Sequence, residues 1–234
     1  MMDTSQVTKV VDEVMQLRRS VRGFLSTPIP RQMIEDILQV SSKAPSGSNI
    51  QPWKVYVLSG AKKQEITNAV LEIFNDPDKN IQHRPEYIYY PKNWTEPFLS
   101  RRRKVGYDLY ALAGIERGEH QKMHQLHAKN YEFFGAPVAL MLTIPRVMEQ
   151  GSWLDYGMFV QNILIAATAR GLASCPQAAF ISYHKVITDI LEIPEDEQYV
   201  MSISLGYEDT SATVNQLVTE RAELKDFVKF FDET

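Results

Sequence analysis

The stretch Ala44-Pro45-Ser46-Gly47-Ser48-Asn49-Ile50-Gln51-Pro52-Trp53 ends one periodic pattern and begins another. Upstream, Met33, Ile34, Ile37 and Leu38 fall on one face of a helix, with Glu35 and Asp36 on the other. Downstream, Val55-Tyr56-Val57-Leu58 is a short strand stopped by Ser59-Gly60. The connection between them carries two prolines, a glycine, three serine or asparagine side chains and a glutamine. Asn49 and Gln51 can each donate and accept, which suits the polar edge of a heteroaromatic ring. Gly47 permits close backbone approach. An ordinary helix-to-strand connection is also rich in Pro, Ser and Gly, so alone the stretch decides nothing about chemistry.

Working outward, Val7–Leu17 reads as an amphipathic helix through Val10, Val11, Val14 and Met15. Lys62–Phe74, Phe98–Ala113, Glu119–Phe133 and Ser182–Leu191 also read as helices. Trp153–Arg170 is a long, mostly apolar helix expected at the centre of the fold. Val138–Ile144, Leu172–Cys175 and Tyr199–Tyr207 read as strands, the last broken by Gly206. Asn75–Pro97 has no periodicity and is rich in Pro, Asn, Asp and Tyr, which marks a long surface excursion. The C-terminal segment Val214–Phe231 ends in Phe227, Val228, Phe230 and Phe231. The strands are few and far apart in sequence, with helices irregularly between them. An α+β class follows, with one sheet wrapped by helices.

Composition fits that reading. The chain has 234 residues, of which 44% are hydrophobic and 23% charged, as in ordinary globular proteins. That length suits one domain, 1–234. A net charge of −4 argues against broad nucleic-acid binding, which needs a positive face. No stretch approaches the run of roughly 20 apolar residues that a membrane helix needs. With one cysteine, Cys175, there is no intrachain disulfide. The expectation is a soluble cytoplasmic protein.

Three further segments hold candidate chemistry. In Arg18-Arg19-Ser20-Val21-Arg22, an extended backbone turns Arg18, Ser20 and Arg22 to one side. That offers fork-shaped donors for a phosphate, or else a solvated basic turn. Gly171-Leu172-Ala173-Ser174-Cys175-Pro176-Gln177-Ala178-Ala179 is small-residued enough for a flat ligand to lie against backbone. Pro176 lacks an N–H, whereas Gln177, Ala178 and Ala179 keep theirs. Arg221, after Gly206-Tyr207, is a lone late cation. His120, His124 and His127 share a helix face, but no second ligand cluster accompanies them, so no metal site is expected. Cys175 reads as a small buried hydrophobe rather than a nucleophile. Arg101-Arg102-Arg103-Lys104 reads as a solvated helix face.

Together, Arg-Arg-Ser-Val-Arg, Ala-Pro-Ser-Gly-Ser-Asn-Ile-Gln-Pro-Trp, the Gly-Leu…Pro segment and the late Gly-Tyr with Arg221 resemble the nitroreductase family of FMN enzymes. The resemblance runs in order along nearly the whole chain. Tyr90-Pro91 to Trp94, Glu96-Pro97, Arg101-Arg102-Arg103 and Phe133-Phe134-Gly135-Ala136-Pro137 look like the branch with nitrobenzoate and dinitroaniline reductases.

The resemblance implies a mixed, mainly antiparallel sheet flanked by helices in an intertwined homodimer. It implies non-covalent FMN gripped by Arg18, Arg19 and Ser20 at the phosphate and ribityl end, with Arg22 toward the pyrimidine edge. Pro45, Ser46, Gly47, Asn49 and Gln51 would come from the other subunit. Pro176, Gln177, Ala178 and Ala179 would lie over the ring, Asn130 at its pyrimidine edge, and Arg221 on the phosphate. The family often has Glu-Gly where this chain has Ala178-Ala179, so only a backbone role survives there. The chemistry implied is ping-pong electron transfer from NADPH or NADH to a small nitroaromatic or quinone acceptor, with no catalytic side chain. Residues 75–134 would form a lid, with Tyr87, Tyr89, Tyr90, Trp94 and Phe98 lining it or packing the subunit interface. The alternatives are reductive dehalogenation, flavin breakdown, or flavin binding without catalysis.

Overall fold

The computed structural model describes residues 3–231. The chain opens with α1 (Thr4–Leu17), which touches α7 but leaves Val7, Val10, Val11 and Met15 exposed, so most of its apolar face is uncovered within the protomer. Then come α2 (Arg31–Ser41), β1 (Lys54–Ser59), α3 (Gly60–Phe74), the short α4 (Pro77–Asn80), α5 (Phe98–Leu112) and α6 (His120–Ala128). They are followed by β2 (Val138–Pro145), α7 (Gln150–Thr168), β3 (Ala173–Gln177), α8 (His184–Leu191) and β4 (Glu197–Gly206). The class is α+β, as the spacing of strands and helices predicts.

The four strands lie in the order β1-β2-β4-β3, and every ladder between them is antiparallel. The one parallel pairing among the described residues is a single bridge, Ser20 to Ser174, outside the strand ladders. Side chains alternate between the two faces. Leu140, Leu142, Ile203 and Leu205 pack with Tyr156, Phe159 and Ile163 of α7. Ala139, Met141, Cys175 and Tyr199 pack with Ile66 and Val70 of α3 and Ile187 of α8. β2 is buried along almost its whole length because both faces are covered, which explains its unbroken apolar sequence.

Two predicted helices are shorter than the periodicity suggests. The helix expected over Glu119–Phe133 stops at Ala128. Tyr131, Phe133 and Phe134 leave it because burial outweighs helical propensity. Phe133 stacks on Phe180 at 4.8 Å and Tyr131 meets the same ring edge-on at 5.3 Å. Phe133 and Phe134 take left-handed backbone to reach that cluster. The helix expected over Ser182–Leu191 begins at His184, after a 3-10 turn, Ala179–Tyr183. The excursion after α3 is pinned to the body. The Tyr87 hydroxyl donates to the Val200 carbonyl, and its ring packs on Trp153 at 4.8 Å.

Gly206, at the end of β4, has a packing reason. A Cβ there would lie 2.8 Å from Pro137 Cδ and 3.0 Å from Phe24 Cδ1. Neither ring can swing away cheaply, since Phe24 is buried and proline is stiff. Gly206→Ala is expected to lower unfolding stability by about 1–3 kcal/mol, read as a lower urea midpoint with unchanged slope. An unchanged midpoint would contradict this packing.

Candidate functional site

Arg18 is the residue at which α1 stops; its φ of −61° and ψ of 120° start an extended run. That run lies against β3, where the Val21 N–H donates to the Ser174 carbonyl at 3.0 Å. Val21 turns inward and is 1% exposed. Arg18, Ser20 and Arg22 remain part-exposed, as alternation predicts. The C-terminal chain returns to the same place through a 3-10 turn, Thr213–Gln216.

One buried side chain joins the two. Asn215 accepts from the Arg22 N–H at 2.7 Å and donates to the Gly23 and Asp209 carbonyls, each at 2.9 Å. It is 4% exposed. Its own carbonyl accepts from Arg19, whose guanidinium also pairs with Glu208. Arg19 therefore serves as a tie between the two segments, and its charge is already matched.

The two segments enclose a cleft of about 800 Å³, lined by Arg18, Ser20, Arg22, Gln161, Thr219 and Arg221 among others. Burial holds the Arg18 guanidinium below its ordinary pKa, and the nearby Arg221 cation lowers it further. Arg221 donates only to Thr219 and to the Glu220 carbonyl beside it. Among the described residues no carboxylate pairs with Arg18, Arg22 or Arg221, in contrast to Arg19. Two like charges facing one cleft without a counter-ion form a site for a multiply charged anion such as a phosphate monoester. The volume also falls in the usual range for cofactor pockets.

None of the ring-side candidates lines this cleft, although β3, which carries two of them, is the strand that the Arg18–Arg22 run lies against. Pro176 lies in β3 and pairs with Ile203. The Gln177 side chain is 3% exposed; it donates to the Asn130 carbonyl at 2.8 Å and accepts from Ser204 at 2.6 Å. Its amide thus fixes Asn130 to the sheet and leaves only backbone for a ligand. The Asn130 amide itself donates to the His127 carbonyl at 3.0 Å. Ala178 and Ala179 are part-exposed at the start of an uncapped 3-10 turn. The first N–H groups of such a turn have no partner within it.

Pro45–Gln51 is placed elsewhere. None of its residues lines the cleft. It sits beside α7, with the Gly47 N–H donating to Asp155 at 3.0 Å and the Gln51 N–H to the Ser46 hydroxyl at 3.0 Å. Ser48, Asn49 and Gln51 all hold left-handed φ, between 49° and 58°. For non-glycine residues this costs about 1–2 kcal/mol each. Such strain concentrates at functional positions.

The remaining candidates have local partners. His124 contacts Asn75 at 2.8 Å and stacks on Phe74, and His127 contacts the Tyr110 hydroxyl at 3.2 Å. Cys175 is buried, and burial pushes its thiol up to about 11 despite Arg22 and Arg18 nearby. Tyr90 and Trp94 pack together at 5.5 Å, capped by the Arg102 guanidinium. Asn215 and Gln161 went unmarked in the sequence. Neither lies in a motif, and a single amide in Thr213–Gln216 carries no local signal of its long-range bonds.

The nitroreductase family model matches residues 15–207. The chain is 37% identical to a chloronitrobenzene nitroreductase of Comamonas testosteroni, covering 95% of this chain and 97% of that protein. It is 36% identical to a 4-nitrobenzoate reductase of Pseudomonas putida, covering 96% of each. Among solved structures it is similar to the FMN-dependent nitroreductase NfnB from Mycobacterium smegmatis in complex with NADPH. There the TM-score is 0.90 at 30% identity, over 97% of this chain and 100% of that one.

Replacing Asn215 by leucine strips three side-chain hydrogen bonds from buried backbone groups. The expected loss is roughly 3 kcal/mol of stability, together with weaker retention of an anionic ligand in the cleft. Equal stability and retention in Asn215→Leu, measured by thermal unfolding and equilibrium dialysis, would contradict its place as the joint.

Proposed function

Because the chain belongs to the nitroreductase family, we propose that it is an FMN-dependent oxidoreductase carrying electrons from NAD(P)H to nitroaromatic acceptors. The observation that carries this is the cleft where Arg18 and Arg221 converge without a counter-ion. It fits the phosphate of FMN in charge and size. Both relatives above are named for reduction of nitroaromatics, which favours that acceptor class over halogenated ones.

In this reading Arg18 and Arg221 bind the phosphate, and Ser20 donates beside it. Arg19 holds the Arg18–Arg22 strand in place through Glu208 and Asn215. Arg22, its backbone fixed by Asn215, places positive charge at the pyrimidine edge, where negative charge accumulates on reduction. The Ala178 and Ala179 N–H groups orient the ring's central edge, while Gln177 keeps Asn130 in register. Bound FMN supplies the redox chemistry, accepting a hydride from the donor and passing two electrons to the acceptor. For a nitro group the balance per turn is one NAD(P)H and one proton consumed, with nitroso product, NAD(P)+ and water formed.

The site is completed by a second copy of the chain. Pro45, Ser46, Gly47, Asn49 and Gln51 line no part of the cleft in their own protomer, yet their loop is held in a costly shape. The uncovered apolar faces of α1 (Val10, Met15) and α7 (Leu154, Met158) supply a dimer surface, and the exposed Phe227, Phe230 and Phe231 suit a tail wrapped on the partner. Residues 1–234 act as one unit in that dimer. No helix among the described residues is long and apolar enough to cross a membrane. A cytoplasmic setting fits a lone buried thiol and a nicotinamide donor.

The test is an anaerobic absorption spectrum of the purified protein. A flavin band that bleaches with NADPH and returns with nitrobenzoate is the expected result. Protein that holds no flavin, even after FMN is added, would end this reading. Arg22→Ala is expected to retain less FMN and to be reduced more slowly, by about tenfold or more.

A further inference from the structure

The basic run on α5 does not behave as one solvated face. The Arg102 guanidinium lies 4.9 Å from the centre of the Trp94 ring. Lys104 pairs with Asp108 at 2.8 Å and with Glu220 at 3.5 Å. Arg101 has no such partner among the described residues. It lines a cavity of about 1040 Å³ between α5 and the segment Thr219–Phe227.

That cavity is built rather than incidental. Its two walls are tied directly once, and α5 is tied a second time to the chain leading into the other wall. The Thr213 hydroxyl donates to the Leu112 carbonyl at 2.8 Å, and Lys104 joins Glu220. Thr219 and Arg221 line both this cavity and the phosphate cleft, so the two adjoin. Four cations and four carboxylates line it. Lys104 is matched by Asp108 and Glu220, and Lys225 by Glu223 at 2.6 Å. Asp226 accepts from the Glu223 N–H at 3.2 Å. Arg221 is used by the flavin phosphate in the reading above. Among the described residues the remaining cation without an ion-pair partner is Arg101, near the N-terminus of α5, where the helix dipole adds to its attraction for an anion, and the carboxylate left without one is Asp226. Val105, Ala222 and the exposed Phe227 ring give apolar surface on which a flat heterocycle can stack.

We propose that this cavity seats the adenosine end of the nicotinamide donor, with Arg101 facing its 2′-phosphate, so that the enzyme distinguishes NADPH from NADH through α5. A dinucleotide whose nicotinamide lies in the flavin cleft has its other end in the adjoining space. The 2′-phosphate is the one group by which the two donors differ. This rests on the flavin reading of the neighbouring cleft.

The experiment uses flavin-loaded enzyme and reads donor binding and flavin reduction by stopped flow. Arg101→Gln is expected to weaken NADPH about tenfold while leaving NADH and the limiting reduction rate unchanged. Arg101→Lys keeps part of the preference, and Arg103→Gln leaves both donors as in the wild type. Calorimetry adds a readout free of electron transfer. Adenosine 2′-monophosphate should bind more tightly than its 5′ isomer or inorganic phosphate, and Arg101→Gln should erase the difference. Loss of NADPH and NADH binding together, or equal binding of the two isomers, would overturn the proposal. Flavin that binds but is reduced equally well by both donors would do the same while leaving the flavin reading intact. Failure to bind flavin at all would sink that reading instead, and calorimetry would still decide the cavity.

Discussion

Everything at the cleft depends on Asn215. Its amide meets three backbone groups on two segments that come from opposite ends of the sequence. Without it, Arg18 and Arg221 would have no reason to share a cleft, because the Arg221 cation makes Arg18 harder to charge. The fold accepts that repulsion because Asn215 and the Arg19–Glu208 pair tie the two segments together beside the cleft. An amide suits the task better than a charged group. It accepts and donates at once, and buried it carries no ionic desolvation cost. The strain of two unpaired cations is then available to a ligand, since an anion entering the cleft relieves it.

The sheet fixes what lies opposite that anchor. β3 is an edge strand in the order β1-β2-β4-β3, so its outer side is free to receive the Arg18–Arg22 run. Its inner side pairs with β4, where Ser204 and Gln177 meet. The same strand therefore positions the arginines by its edge and Asn130 by a side chain. The loop Pro45–Gln51 stands apart at the entry to β1, the opposite edge of the sheet from β3. Its three left-handed residues keep Asn49 and Gln51 presented rather than folded inward. A protomer thus carries one arginine cradle and one amide-bearing loop in separate places, the arrangement from which the two-fold dimer is proposed.

Much of this was legible in the chain. Arg18–Arg22 and Ser46–Gln51 were marked by composition, β2 by a short apolar run and α7 by a long, mostly apolar one. Those signals are local, and local signals survive folding. Asn215 was not legible, because its role is set by partners 192 and 193 positions away. Gln177 was marked for its backbone N–H in a small-residue run. Nothing local announced that burial commits its side-chain amide to Asn130 and Ser204. Helix periodicity overran α6 for a similar reason, since Tyr131 and Phe133 satisfy an apolar pattern yet belong to a cluster around Phe180. The run Arg101–Lys104 read as uniform, and only packing separates its members.

The same packing separates two tasks that the sequence interleaves. The anion anchor is made of segments locked by buried hydrogen bonds. The excursion between α3 and α5 is held instead by a few peripheral contacts. Glu86 pairs with Arg146 at 2.5 Å, Tyr183 donates to Asn80 at 2.9 Å, and Tyr87 is pinned to Val200. One Glu86 oxygen is buried without a hydrogen bond, 3.5 Å from His184. Contacts of this kind are weaker than the Asn215 joint, because each leaves polar groups unmatched or part-exposed. The exposed aromatic residues Tyr89, Tyr90 and Phe98 can therefore change without disturbing the arginine cradle. In a protein built this way, the choice of acceptor can drift while the grip on a shared anionic cofactor stays fixed.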